Sequence, residues 1–445
     1  MDNIKGEQYN KNRGNWNFNK YRIKYSFINS FRMVMLSMMF IFIICALLFI
    51  KYVTLPNQNI LLFAYSLFVT IFILTRISTS LYYNKDNWKS NNDKDYEPKI
   101  SFVIPVKNEE VVIGDTITKC FEVNYPKEKV EVVIINDGST DKTLFEIEKM
   151  KKIYPGLTII NFEVNQGKRH AMAEGFKVAK GEIIIQMDSD SCLDKNSLRP
   201  LVRPFQDDDI GAVCAHADVL NANENFLTKM QQAYYFVSFR AMKAYESMLD
   251  TVLCCSGCCS AYRKSITIPL LDAWRNETFL SKPVSFGDDR SLTIMILKAG
   301  YKTIYVSDAQ AFTIAPNNMK QFAKQQIRWK KSWIINAIKM SGFMIKKDKF
   351  IALTYFFPLI IISLFTPIIA LYALFYTPII YSKLPIFYFI GVLLITSLLA
   401  IFYKFFNKDR NWKYIYAWVF LGMIFTSYLI FYAIVDIRNT KWGTR

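Results

Sequence analysis

Ile183-Ile184-Ile185-Gln186-Met187-Asp188-Ser189-Asp190 runs from a block of β-branched residues straight into two acids. A short, continuous apolar run over 182–187 predicts a buried β-strand. Side chains two apart on a strand share a face, so a strand that continues through the acids aims Asp188 and Asp190 at one place. Like charges held that close repel unless a cation lies between them. Hard oxygen donors of this kind suit Mg²⁺ or Mn²⁺ together with phosphate oxygens. The alternative is a solvated acidic turn.

Further β-rich apolar runs lie at Ile100–Val106, 130–135, Leu157–Phe162 and 211–215. Helical stretches separate the early ones, at 109–121, 140–152 and 169–179. Alternating strands and helices predict an α/β domain with a mainly parallel sheet covered by helices. Such sheets bind ligands beyond the carboxyl ends of their strands. The polar residues at those ends are therefore the ones to read.

The second run leads into Asn136-Asp137-Gly138-Ser139-Thr140. Asp137 stands where a carboxylate can accept hydrogen bonds from a ribose or a base, and Gly138 permits close backbone approach. The same residues also make an ordinary turn with Ser139 or Thr140 capping a helix. Asn165-Gln166-Gly167-Lys168-Arg169 precedes the next helix. A glycine, two cations and a helix N-terminus suit phosphate, or simply start a basic, solvated helix. Gly287-Asp288-Asp289-Arg290 supplies a second carboxylate pair. If metal takes the first pair, the second offers a general base for a sugar hydroxyl; otherwise it caps the helix that follows. In Gln325-Gln326-Ile327-Arg328-Trp329, helical spacing puts Gln325, Arg328 and Trp329 on one face. Arg328 can balance a diphosphate and Trp329 can floor a sugar ring. The alternative is an interfacial Trp beside a snorkelling Arg.

Composition narrows the class. Of 445 residues 52% are hydrophobic, and 55 Lys and Arg against 37 Asp and Glu leave a net charge of +18. That much apolar surface excludes a disordered chain, and the length excludes a small disulfide scaffold. A mean hydropathy of +0.13 favours a membrane protein. Many basic residues flank apolar runs rather than forming a groove, which argues against nucleic acid. Of the eight cysteines, four cluster in Cys254-Cys255-Ser256-Gly257-Cys258-Cys259. That spacing is poor for disulfides and lacks a second zinc knuckle, so it reads as a tight Gly-turn beside a pocket in a reducing compartment.

Residues 33–53 and 60–75 each have the length and apolarity to span a bilayer, after a basic tail over 1–32. The positive-inside rule keeps that tail in the cytosol, and the two spans return the chain there. The polar region 97–315 is then cytosolic. Residues 316–349 mix Trp and Phe with many lysines, the composition of interfacial helices. Runs at 351–376, 385–402 and 414–435 follow, the first interrupted by Pro358 and Pro367. Three spans would leave the tail, 437–445, outside the cell and four would leave it inside.

Taken in order, Asp-Gly-Ser, Gly-Lys-Arg, Asp-x-Asp, Gly-Asp-Asp and Gln-x-x-Arg-Trp followed by spans resemble the processive family-2 inverting glycosyltransferases. Within them the chain is similar to hyaluronan synthases, and nearly as similar to rhizobial chitooligosaccharide and chitin synthases. Closer matches fall at Gly167-Lys168-Arg169, at Pro-Val-Ser-Phe-Gly-Asp-Asp-Arg over 283–290, and over 324–329. The tail Trp442-Gly443-Thr444-Arg445 resembles a C-terminal motif of hyaluronan synthases. The sequence departs from the family at Asn136, where the first acid would stand, and at Cys258, where Pro is common.

The resemblance implies a GT-A-like α/β domain with a Rossmann-like parallel or mixed sheet, fused to a helical transmembrane region with interfacial amphipathic helices. It implies a plasma-membrane, multi-pass enzyme with a cytosolic catalytic domain, UDP-sugar donors and a growing polysaccharide. Asp137 would contact uridine, and Lys168 and Arg169 the phosphates. Asp188 and Asp190 would hold UDP and Mg²⁺ or Mn²⁺. Asp289, with Asp288 beside it, would supply the base. Gln325, Arg328 and Trp329 would bind diphosphate and acceptor sugar, and Cys254, Cys255, Ser256 and Gly257 would line the acceptor pocket. The tail would be cytosolic, which conflicts with three C-terminal spans and points to a partly inserted segment near 351–383.

Overall fold

A computed structural model describes residues 60–83, 96–382 and 384–439. The expected first span and the Trp442-Gly443-Thr444-Arg445 tail lie outside the described residues. The described chain forms two compact units. The first takes Lys85–Leu220 and Asp250–Ile314, the second Asn221–Leu249 and Ala315 onward together with the helix Ile60–Leu81.

The first unit is built on strands β1 (Ile100–Val106), β2 (Val130–Asp137), β3 (Leu157–Phe162), β4 (Ile183–Gln186), β5 (Ser191–Leu193), β6 (Ile210–Val219), β7 (Ser260–Arg263) and β10 (Lys302–Thr313). They form one sheet in the order β3-β2-β1-β4-β7-β6-β10-β5. A separate two-residue hairpin pairs β8 (Thr278–Phe279) with β9 (Lys282–Pro283). β1 is buried along its whole length, as a strand covered on both faces must be. Phe102, Ile104, Ile134 and Ile185 anchor one continuous core. Burying each such side chain contributes roughly 1.5–3 kcal/mol.

The half of the sheet from β3 to β4 is parallel, as the alternation predicted. The rest is mixed: β7 runs antiparallel to both β4 and β6, and β5 antiparallel to β10. β6 and β10 pair in parallel, so the sheet is the parallel or mixed kind that was expected. β4 stops earlier than predicted. Its pairing with β1 ends at Gln186, and the Asp188 N–H turns instead to the Gly257 carbonyl at 3.0 Å. Asp188-Ser189-Asp190 therefore lies on a turn between β4 and β5, where strand alternation no longer sets side-chain direction.

In the second unit, Met319–Ser341 is one helix, with the Asn318 side chain accepting from the Gln321 N–H at 3.0 Å. Two helices, Lys349–Tyr381 and Tyr388–Phe406, are long and apolar enough to cross a membrane. Pro358 and Pro367 lie within the first without breaking it. The segments Asn411–Thr426 and Leu429–Val435 bend by 42° at their junction. Lys349–Tyr381 itself runs on through π-helical turns at Ala352–Phe356 and Tyr372–Tyr376. Residues 221–249, read from sequence as cytosolic, fold here because Phe226–Val237 packs apolar faces inward. Tyr234 stacks on Trp418 at 3.8 Å, and Phe236 meets Tyr403 edge-on.

Candidate active site

The chain leaving β4 meets the turn at Gly257, and the end of β2 meets the loop before Lys168. Asp137, at the end of β2, is buried and accepts the backbone N–H groups of Gln166 at 2.7 Å and Gly167 at 3.0 Å. It thereby fixes the loop that enters the helix Lys168–Val178. Gly138 is required beside it. Its φ is +61°, and a Cβ there would lie 2.5 Å from the Asn165 nitrogen.

Lys168 opens the helix and bonds the Asp188 carboxylate at 2.5 Å. Gln186 Nε2 donates to the Gly257 carbonyl at 2.9 Å and to Asp188 at 3.3 Å. The Gly257 N–H donates to Asp289 Oδ2 at 3.1 Å. Cys254 Sγ lies 3.6 Å from the same oxygen. Gly257 thus joins the two acid motifs through its own peptide groups. A Cβ on it would sit 3.2 Å from both Asp188 carboxylate oxygens, so only glycine fits without displacement. Cys254 and Ser256 are half-buried in this turn, and Cys255 is buried, its N–H donating to Thr293. Tyr262, fully buried beside the turn, has its hydroxyl pushed well up, first by burial and then by Cys255 and Asp289.

The two acids of Gly287-Asp288-Asp289 part company. Asp289 is half-buried and faces Gly257 and Cys254, while Asp288 is buried and pairs with Arg169 Nε at 2.9 Å. Arg169 Nη1 also bonds Glu277 at 2.7 Å and the Trp274 carbonyl at 3.1 Å. Its side chain is 6% exposed. Burial opposes its charge, but Asp288 and Glu277 outweigh that and hold its pKa above the ordinary value. The guanidinium thus lies in the interior, paired with Asp288 and Glu277. Asp288 turns to Arg169, while Asp289 turns to the Gly257 N–H and Cys254.

Asp190 is half-buried on the β4–β5 turn and, with Asp115, Thr116, Lys119 and Cys192, borders a small cavity. Among the described residues no three His, Cys, Asp or Glu side chains converge as a closed cage. Two half-buried carboxylates on one turn suit a hard cation that completes its shell with phosphate and water.

Gln325, Arg328 and Trp329 belong to the second unit. They share one face of Met319–Ser341, as the spacing predicted, with Trp329 packed against Tyr235 at 6.3 Å between ring centres. The Gln325 Oε1 is buried and accepts no hydrogen bond among the described residues. On the same helix Lys331 bonds the Asp436 carboxylate and, at 3.3 Å, the Asn439 carbonyl. Gln186, Trp274 and Glu277 were not anticipated; none lies in a recognisable motif.

Residues 101–271 match the model of the glycosyl transferase family 2. The chain is 28% identical to a hyaluronan synthase of Streptococcus pyogenes serotype M1 over 93% of its own length and 98% of the relative's. It is 31% identical to an N-acetylglucosaminyltransferase of Azorhizobium caulinodans over 53% of this chain and 59% of that one. Among solved structures it resembles the mannosyltransferase PcManGT from Pyrobaculum calidifontis, solved with GDP-Man and Mn²⁺. The TM-score is 0.52 at 17% identity, covering 85% of this chain and 99% of that one, a likeness of fold.

Proposed function

We propose, from the premise that the chain carries a glycosyl transferase family 2 domain, that it is a membrane-embedded processive synthase. It polymerises UDP-GlcNAc and UDP-GlcA into a hyaluronan-type polymer and exports it. The observation that carries this reading is the Gly257 turn, which links the donor-side acid Asp188 to the acceptor-side acid Asp289.

In this mechanism Asp289 takes the proton of the acceptor hydroxyl as that oxygen attacks the anomeric carbon in line. The bond from that carbon to the diphosphate oxygen breaks, and the centre inverts. The Gly257 N–H keeps the Asp289 carboxylate oriented toward the turn. Lys168 lies beside Asp188 and is placed to neutralise the departing diphosphate. Asp137 holds the loop before Lys168 and retains lone pairs for the uridine. A divalent cation, Mg²⁺ or Mn²⁺, held by Asp190 and Asp188, would supply further charge stabilisation to the leaving UDP. Gln325 and Arg328 carry groups suited to a sugar hydroxyl and a diphosphate, and Trp329 a face suited to a pyranose ring. Cys254, Cys255 and Ser256 would border the acceptor.

The membrane reading follows the same chain. Lys331, on the helix that follows the catalytic domain, bonds residues at the end of the last apolar segment. That supports a tail on the cytosolic side. The bent pair over 411–435 then enters and leaves at one face, and 33–53, 60–81, 349–381 and 386–406 make the spans. The catalytic domain is cytosolic and the enzyme sits in the plasma membrane.

A synthase of poly-GlcNAc is the second reading, favoured by the likeness to the Azorhizobium N-acetylglucosaminyltransferase. Sugar incorporation by the purified full chain with Mn²⁺ separates them. Polymer that needs both UDP-GlcNAc and UDP-GlcA and is cut by hyaluronidase is the expected result. Chitinase-sensitive polymer from UDP-GlcNAc alone would replace it with the second reading. A basic exporter without transferase activity would release no UDP.

A further inference from the structure

We propose that Glu277 and Trp274, acting through Arg169 and Asp288, are positioning residues that set the Asp289 carboxylate for proton transfer. The inference rests on the reading of Asp289 as the base.

The residues lie on three separate segments. Arg169 is in the first turn of Lys168–Val178, Trp274 lies in the short helix Leu271–Arg275 with Glu277 just after it, and Asp288 opens the helix Asp288–Lys298. Arg169 meets all of them: Asp288 at 2.9 Å, Glu277 at 2.7 Å and the Trp274 carbonyl at 3.1 Å. Its guanidinium also lies 5.3 Å from the centre of the Trp274 ring. The Trp274 indole N–H closes the loop by donating to the Asp288 carbonyl at 3.1 Å. Ser291, one turn along the same helix, donates to Glu277 at 2.6 Å. Trp274 is fully buried and stacks near-parallel on Phe176 of the Arg169 helix.

Asp288 is therefore held by both its carboxylate and its carbonyl, one from each side of the network. Gly287, with φ of +72°, sets the sharp entry into the turn. The peptide that carries Asp289 begins at that clamped carbonyl, so the direction of the Asp289 side chain toward Gly257 and Cys254 is inherited from it. Lys168 and Arg169 divide the same labour at the donor side. One reaches Asp188 and its neighbour reaches Asp288, so a single helix start fixes the two reacting partners relative to each other. Glu277, like Trp274, is marked by no motif. It holds the second arm of the Arg169 fork and the Ser291 hydroxyl together, and two carboxylates on one guanidinium keep that fork in a single orientation.

A positioning role predicts a kcat defect without a donor-binding defect. The test uses the full chain in lipid nanodiscs with Glu277→Gln, which keeps shape and removes charge, and Trp274→Phe, which keeps a ring and removes the indole donor. UDP release and sugar incorporation give kcat and donor KM; calorimetry with UDP and Mn²⁺ gives donor-site affinity. Glu277→Gln should lower kcat on the order of 100-fold, the scale of a small misplacement of a reacting group. Loss of one buried hydrogen bond in Trp274→Phe should lower kcat about tenfold. KM and UDP affinity should stay within about twofold of the parent in both, since neither variant touches the donor acids. Unchanged kcat in both variants, or a fall in kcat matched by loss of UDP affinity, overturns the positioning role. A parent protein that binds UDP yet releases none from any UDP-sugar overturns the reading of Asp289 instead.

Discussion

Replacing Gly257 by Ala adds a single methyl group at the point where the two acid motifs meet. Its carbon would lie 3.2 Å from each Asp188 carboxylate oxygen and 3.5 Å from the carbon between them. Ordinary contact begins a few tenths of an ångström farther out, so the carboxylate must move by that amount. Asp188 is free to do so only by disturbing its 2.5 Å bond to Lys168. The backbone raises no objection, because Gly257 is not among the glycines with positive φ. Overpacking of this kind costs about 1–3 kcal/mol. Restricting the unfolded chain returns about 0.4–1 kcal/mol. The fold should therefore lose no more than about 2.6 kcal/mol, a shift of several degrees in Tm for a unit of this size. The donor site should lose more, because Lys168 and Asp188 leave their working geometry together. A tenfold to hundredfold weaker UDP affinity corresponds to about 1.4–2.8 kcal/mol. Calorimetry with UDP and Mn²⁺, beside a thermal melt of the same preparation, separates the two effects. UDP affinity equal to the parent's would refute the claim that this glycine sets Asp188. So would a protein that no longer folds.

Asp190→Ala should abolish the metal-dependent part of UDP affinity while leaving the melt unchanged, since its side chain is half-buried on a turn; UDP titration with and without Mn²⁺ reads this. Among the described cysteines Cys254 alone is not fully buried. Burial pushes the Cys192 thiol up to about 11 and holds Cys259 well above its ordinary value. A maleimide at neutral pH should therefore label Cys254 first among them, with the buried thiols reacting only on unfolding. Peptide mapping against time gives the order, and early labelling of Cys259 would count against the packing of the turn.

The parallel half of the sheet was legible because its strands are continuous apolar runs between helical stretches. β7 was not, since Ser260-Ala261-Tyr262-Arg263 carries no apolar run and is a strand only because β4 and β6 flank it. The order of the acid motifs was legible too, but not how each pair divides. Neighbouring residues on a helix point about 100° apart, and here Lys168 turns to Asp188 while Arg169 turns to Asp288. The same geometry separates Asp288 from Asp289. Reading each pair as a unit hid the buried network around Glu277, whose partners are more than 100 residues away along the chain in the case of Arg169. Asp188-Ser189-Asp190 was read as strand because the apolar run reaches it. The strand ends where its pairing with β1 ends, and nothing local in the sequence marks that point.

The most direct test of the central claim compares Asp289→Asn with the parent protein. Sugar transfer and UDP affinity are measured on the same preparation with UDP-GlcNAc, UDP-GlcA and Mn²⁺. Loss of a general base predicts transfer down by about 10²–10⁴-fold. UDP affinity should be unchanged, because in the proposed mechanism Asp289 acts on the acceptor hydroxyl and not on UDP. Transfer at the parent's rate in Asp289→Asn would contradict the account.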